Sequence, residues 1–132
     1  MADLAVNIPE VVDEVRRAFE RYERALADGD VAVLDETFWN SPHTVRYARD
    51  RQGHGWVEIH AHRVAQSSGM AIRETRIRLE ILTLGRHIAT VNLEYKNRGS
   101  DRIGRQSQTW VRFPDHGWKV VGAHVSMIET PA

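Results

Sequence analysis

Apolar positions near the start of the chain recur at spacings of three and four residues. They are Val11, Val12, Val15, Phe19, Tyr22 and Leu26. This period predicts an amphipathic helix that opens at Pro9 and ends at Gly29, because proline is favoured in the first helical turn and glycine just after the last one. Asp30 is the predicted N-cap of a short helix over 31–38, and a third helix is predicted over 56–65.

In the second half of the chain the apolar period shortens to two, which is typical of half-buried antiparallel strands. In the first strand, one face carries Thr75, Ile77, Leu79 and Ile81 and the other carries Glu74, Arg76, Arg78 and Glu80. In the second, which follows a turn at Gly85, the inward set is Ala89, Val91, Leu93 and Tyr95. The length of the turn predicts that Ile81 pairs with Ala89 and Leu79 with Val91.

The last two predicted strands, 105–113 and 118–127, form a hairpin. The predicted pairs are Phe113–Trp118, Val111–Val120, Thr109–Gly122 and Ser107–His124. This register places Ser107 and His124 at the polar end of a pocket, where we predict that they bind substrate. The opposite face carries Trp110, Val121, Ala123 and Val125. An apolar patch of this kind predicts a homodimer through the outer face of the sheet.

The order of elements predicts one α+β domain over residues 1–132, with a short strand, 43–49, between the second and third helices. The hydrophobic content of 42% suits a single core. Lys plus Arg equals Asp plus Glu at 18 each, so no net field favours nucleic acid or an anionic membrane as partner. No apolar run reaches the roughly 20 residues that span a bilayer, and no signal segment is evident, so we expect a cytoplasmic location.

Several kinds of chemistry are disfavoured by the residues present. The chain has no cysteine, which excludes disulfides, a thiolate nucleophile and a thiolate metal site. Its aspartates fall in predicted turns, caps or exposed helix faces, so no buried carboxylate base is expected. His60 and His62 are out of phase for one helix face, and we predict no metal and no cofactor. A solvated strand face is predicted for the arginines Arg63, Arg73, Arg76, Arg78 and Arg86, which Glu74 and Glu80 interrupt.

The segment FWNSPHTVRY, residues 38–47, carries the most specific chemical signal. Strand alternation sets Arg46 on the face opposite Tyr47, while helical spacing sets Tyr22 on an apolar, core-facing stripe. If Arg46 faces inward, a cation and a phenol share one enclosed space, which suits a small anion. The alternative is a solvated Arg46 and an ordinary core tyrosine. Trp39 and Tyr95 are candidate pocket walls with core packing as their alternative role.

The element order resembles the nuclear-transport-factor-2-like (NTF2-like) fold, also called the SnoaL-like or ketosteroid-isomerase-like superfamily. At the level of motifs, the chain resembles one branch of this superfamily. The resemblance lies in residues 38–47, Gly53, Gly55, GRQSQTW at 104–110 and GWKVVGAHVSM at 117–127. That branch contains small proteins of oxalurate and cyanuric acid (s-triazine) catabolism. The resemblance covers nearly the whole chain. It implies a cone in which a curved antiparallel sheet wraps around three N-terminal helices.

For function, the resemblance implies a decarboxylating amidohydrolase that converts dicarboxyurea to allophanate, with catalytic roles for Tyr22 and Arg46. The substrate is then a small anionic ureide. Arg46 can hold a carboxylate through two parallel hydrogen bonds, and Tyr22 can deliver the proton that nitrogen needs when carbon dioxide leaves. Two alternatives stay open: a noncatalytic accessory or ligand-binding subunit, and an enzyme acting on oxalurate or another ureide. Two reaction routes also stay open: direct decarboxylation, and hydrolysis followed by loss of carbon dioxide.

Overall fold

Three helices and six strands make up the fold in the computed structural model, which describes residues 4–66 and 73–129. The helices are α1 (Pro9–Asp28), α2 (Val31–Thr37) and α3 (Trp56–Gln66). The strands are β1 (Val45–Tyr47), β2 (Gln52–His54), β3 (Arg73–Leu84), β4 (Ile88–Asn97), β5 (Ile103–Phe113) and β6 (Gly117–Ile128). The predicted α+β architecture is confirmed. β2 was predicted as part of a glycine-rich turn and is a short strand instead.

The helix ends follow from local sequence signals. Pro9 occupies the first turn of α1, and Gly29 ends that helix in the left-handed conformation with φ of 68°. The Asp30 side chain caps α2 by accepting a hydrogen bond from the Val33 backbone N–H at 3.2 Å. These caps depend on residues adjacent in sequence, so they were predictable without knowledge of the tertiary fold.

The six strands form one sheet in the order β2-β1-β6-β5-β4-β3. All neighbours are antiparallel except β1 and β6, which run parallel. The buried stripe of α1 packs on the inner face of this sheet in one hydrophobic core that includes Phe19, Leu93 and Trp110. Among the described residues no helix is long and apolar enough to cross a membrane.

The predicted register of β3 and β4 is wrong by two residues. Ile81 pairs with Val91 rather than with Ala89, and Leu79 pairs with Leu93. Because strand side chains alternate with a period of two, this shift leaves Leu79, Ile81 and their partners on β4 on the inner face. Thr75 and Ile77 lie beyond a bulge and are exposed. The connecting turn has three residues, as predicted, but it lies at 85–87 rather than at 84–86, and this displacement by one residue shifts the register.

A bulge in β3 changes which of its arginines face the helices. The register shifts between Arg76 and Arg78, and Arg76 becomes the partner of Tyr95 on the inner face. The Arg76 Nη2 atom lies 2.8 Å from Glu20 Oε1 on α1. Arg76 therefore lies on the face opposite to the one predicted, since one extra residue in a strand reverses the alternation beyond it, but its side chain stays 39% exposed, as a solvated residue would be.

The β5–β6 hairpin matches the predicted register only at its far end. Ser107 pairs with His124 and Thr109 with Gly122, as predicted. Beyond Thr109 a bulge shifts the register. The observed pairs there are Trp110–Val120, Val111–Lys119, Arg112–Trp118 and Phe113–Gly117, so the two predicted pairs nearest the turn are wrong.

The predicted faces of this hairpin are reversed. Trp110 is fully buried and its Nε1 atom donates to Gln108 Oε1 at 3.1 Å. Ala123 and Val125 pair with Gln108 and Gln106 and share their inner face. The predicted outer patch of Trp110, Ala123 and Val125 is therefore wrong, because burial of the large indole sets the face of the strand.

Candidate functional site

Tyr22 and Arg46 both face the interior between α1 and the sheet. Tyr22 is 3% exposed, and its ring centroid lies 6.1 Å from that of Phe38. Arg46 pairs with Ala123 across β1 and β6, in a row that continues to the buried Gln108. Residues in one row of paired strands share a face, so Arg46 points to the inner side. Both residues therefore have the inward orientation on which the prediction of a shared space depends.

Arg63 on α3 is a third member of this site. It is 4% exposed, and its guanidinium carbon lies 4.1 Å from the centroid of the Phe38 ring. Its Nη1 atom donates to Leu34 O at 3.2 Å and lies 3.5 Å from Asp35 Oδ1. The same Asp35 carboxylate also contacts His60 Nδ1 at 2.6 Å through its other oxygen.

The burial of Arg63 and the charged groups near it together determine the direction in which its pKa shifts. Burial lowers the pKa of Arg63, and the nearby Arg46 acts in the same direction. The Tyr22 phenol and Asp35 oppose this effect without overcoming it. Arg63 is thus a buried cation close to both predicted catalytic residues, with less compensating negative charge than it needs. An incoming anion would relieve that deficit.

Arg73 on β3 is a second arginine that the sequence pattern assigned to solvent, and its side chain is only 18% exposed. Its Nη1 atom lies 2.6 Å from Glu23 Oε2, and its Nη2 atom donates to Gln106 Oε1 at 2.9 Å. Its guanidinium carbon lies 4.3 Å from the centre of the Tyr95 ring. Burial alone would lower the pKa of Arg73, but Glu23, Tyr22 and Tyr95 together raise it above its ordinary value.

Gln106 and Gln108 complete the inner surface of β5 next to these arginines. Each is 2% exposed. Their Nε2 atoms are buried and have no hydrogen-bond partner among the described residues, and the same holds for Arg63 Nη2. Buried polar atoms are nearly always paired in folded proteins, so each of these unpaired donors indicates a place for a ligand or for water.

Two of the four predicted substrate-binding residues lie elsewhere. Ser107 and His124 pair as predicted, but they are on the outer face of the sheet. The Ser107 hydroxyl donates to Asn92 Oδ1 at 2.6 Å in an exposed position, and the His124 ring packs edge-on against Tyr47. Their placement in a pocket with Tyr22 and Arg46 is wrong, because the alternation of β5 was assigned to the opposite face.

The other two predicted pocket walls have different positions. Tyr95 is 3% exposed and lies beneath Arg73, so the structure brings it to the site. Trp39 stacks on Phe113 with ring centroids 5.0 Å apart. It lines a separate cavity of about 250 Å³ together with Trp56 and Lys119.

Four residues near the site were not predicted from the sequence as site residues: Arg63, Arg73, Gln106 and Gln108. A signal for Arg63 was present, because it follows the apolar Ile59 by four residues and therefore shares its helix face. For the two glutamines the signal was their spacing of two residues from each other and from Trp110, which places all three side chains on one face of the strand. Neither signal identifies the role of the residue without its neighbours in space.

Among residues 4–66 and 73–129, no group of three or more His, Asp or Glu side chains comes together in a way that could hold a metal ion. Positive charge at the site is instead supplied by guanidinium groups. The arrangement can bind a small anion, donate hydrogen bonds to its oxygens and present a phenol to it.

Comparisons with known proteins agree with this fold. A family model described as AtzH-like matches residues 4–131. A crystal structure of a protein of unknown function from Pectobacterium atrosepticum SCRI1043 is similar, with 43% identity over 97% of this chain and 100% of that chain, and a TM-score of 0.89. A cystatin-like fold protein from Burkholderia xenovorans LB400 has 39% identity over 97% of this chain and 99% of that chain, and a TM-score of 0.88.

A more distant structural relative establishes the wider fold class. An NTF2-like protein of unknown function from Pseudomonas putida KT2440 is 19% identical over 86% of this chain and 84% of that chain, with a TM-score of 0.74. The predicted NTF2-like fold is confirmed. The comparison with curated proteins gives no match.

Proposed function

We propose that this chain, which belongs to the AtzH-like family, is a decarboxylating amidohydrolase that converts dicarboxyurea to allophanate. The observation that carries the proposal is the group of guanidinium side chains around one buried phenol. Arg63 and Arg73 both lie close enough to Tyr22 to interact with it electrostatically, and Arg63 also interacts with Arg46. Only two carboxylates, Asp35 and Glu23, pair with these arginines among the described residues, so the cluster keeps a positive charge that suits a small dianion.

Arg46 is the group most available to the substrate. Within the described part of the chain it has no ion-pair partner. An inward guanidinium without a carboxylate is costly unless a ligand anion or water compensates it. A carboxylated urea offers planar groups of oxygens that fit the fork of donors on arginine.

In the proposed reaction, the bond between one carbamate nitrogen and its carboxylate carbon breaks. The electron pair goes to nitrogen, carbon dioxide leaves, and one proton is added to that nitrogen to give allophanate. Tyr22 delivers this proton and regains one from solvent. Arg46 acts on the urea carbonyl or on the carboxylate that stays, because holding the departing carboxylate would stabilise the ground state more than the transition state.

The proposal is tested by incubating the purified protein with dicarboxyurea and, separately, with oxalurate while following carbon dioxide and ammonia. We expect carbon dioxide from dicarboxyurea, well above the rate without protein, and no ammonia from that step. Carbon dioxide at only the background rate would reject the proposed reaction. Turnover of oxalurate alone would instead assign the site to another ureide.

We also propose a homodimer that packs through the outer face of the sheet. Leu82, Ile88 and Tyr47 on this face are each about 40% exposed. Tyr47 and Thr109 line a cavity of about 430 Å³ there. Apolar side chains grouped on one exposed face are typical of association surfaces.

An arginine in the middle of this face should disrupt the dimer. We expect wild-type protein to sediment as a dimer at micromolar concentration and Thr109→Arg to sediment as a monomer, because the new charge would be buried without a partner. Ala61→Arg, on the exposed side of α3, is the matched control and should remain dimeric. A monomeric wild type, or a dimer that Thr109→Arg leaves intact, would contradict this interface.

A further inference from the structure

We infer that Gln106, Gln108 and Arg63 together bind the carboxylate that remains on the product, so that the site selects ureides that carry a carboxylate at this end. This inference rests on the proposed function and extends it to substrate selection. The three side chains come from β5 and α3, and each is more than nine-tenths buried. Each also has a donor nitrogen without a partner among the described residues.

The orientation of both amides is determined by their neighbours. Gln108 Oε1 accepts from Trp110 Nε1, and Gln106 Oε1 accepts from Arg73 Nη2. Indole and guanidinium nitrogens can only donate, so in each case the amide oxygen must face them. The amide NH₂ groups therefore point away from these partners, and both present donors rather than acceptors to the site.

The positions of the two amides suit a group with several acceptor oxygens. Gln106 and Gln108 are two residues apart on the same face of β5, which places their backbones about 7 Å apart. Gln108 shares its row with Ala123 and Arg46, and the short alanine side chain leaves space between the two longer ones. Arg46 can then act on the urea carbonyl while the amides and Arg63 hold the neighbouring carboxylate.

A surface that only donates discriminates between carboxylates and amides. A carboxylate accepts through both oxygens, whereas a terminal amide must place its own NH₂ against these donors. A site built to pair with one group rejects an analogue that leaves its buried polar atoms unpaired. Neutral ureides that end in an amide should therefore bind poorly, although their shape is nearly the same.

The test uses two stable probes, glutarate and its diamide, glutaramide, which have the five-atom spine of dicarboxyurea and differ only in their terminal groups. Isothermal titration calorimetry on the wild-type protein should show glutarate binding about 10-fold or more tightly than glutaramide. Equal affinities would overturn the inference without the need for any variant.

Variants then identify the residues responsible. Gln108→Glu and Gln106→Glu keep the side-chain shape but replace the donor by an acceptor, and each should weaken glutarate binding by about 10- to 100-fold. Ser107→Ala, between them on the opposite face, is the matched control and should bind as wild type does. Folded variants that bind glutarate normally would reject the assignment, with circular dichroism as the check on folding.

The outcome is separable from that of the proposed function. If the glutamines control glutarate affinity but no carbon dioxide is released from dicarboxyurea, the carboxylate site stands and the reaction is wrong. If dicarboxyurea is decarboxylated while Gln108→Glu keeps the wild-type KM, the reaction stands and this inference fails. Where the inference is correct, Gln108→Glu should raise KM more than it lowers kcat, because it contacts a group that does not change in the reaction.

Discussion

Tyr22→Phe is expected to lower turnover of dicarboxyurea by roughly 100-fold or more, because it removes the proton donor. The protein should stay folded. Tyr22 is 3% exposed and its ring packs beside Phe38, and phenylalanine keeps that ring contact. Steady-state kinetics on the purified variant measures the loss, and circular dichroism with thermal unfolding checks the fold.

Tyr47→Phe is the matched control for this change. Tyr47 follows Arg46 directly on β1, but its side chain faces the outer side of the sheet and is 41% exposed. The same loss of a hydroxyl should leave turnover unchanged there. If Tyr22→Phe retains near-normal turnover, the phenol is only a core residue and the proposed proton transfer is wrong.

Arg46→Met is expected to lower kcat/KM by about 10- to 100-fold, because one charge-assisted interaction with the substrate is lost. Methionine has a similar volume, and removal of a guanidinium without an ion-pair partner among the described residues should not destabilise the fold. The variant should also bind glutarate less tightly, since the net charge of the cluster falls. Kinetics and calorimetry on the same preparation measure both effects.

Two further variants test whether the effect of Arg46→Met is specific to the site. Arg105→Met changes an exposed arginine whose Nε atom contacts Ser126 on the outer side of the sheet, so it should leave kcat/KM unchanged. The double variant of Tyr22 and Arg46 should be little worse than the poorer single variant, because both residues act on one substrate. If the loss of activity in the double variant equals the product of the losses in the two single variants, the residues act independently, contrary to the mechanism proposed.

The helices and the sequence of strands were predictable because their signals are local. The apolar stripe of α1, the proline at its start, Gly29 at its end and the Asp30 cap all depend on residues within a few positions of one another. Strand alternation likewise identified the long strands. The predicted pairing of Ser107 with His124 is correct only because the bulge beyond Thr109 offsets the error of one residue at the turn.

The faces of β5 were not predictable from alternation alone. Its sequence alternates serine and threonine with glutamine, and either set can face inward on polarity alone. The choice depends on Trp110, whose indole is fully buried and hydrogen-bonded to Gln108. That choice carries the glutamines into the site and moves Ser107 to the outer face, and it requires knowledge of what packs against the strand.

The sequence by itself determined the element types, the α+β class and the two residues with the clearest chemistry, Tyr22 and Arg46. Only the tertiary structure decided which other polar groups join them. Arg63 and Arg73 belong to distant segments, and they are stabilised inside by Asp35 and Glu23 and by contacts with Phe38 and Tyr95. Local patterning treats an arginine as a surface residue, because the partners that make its burial tolerable are brought close only by folding.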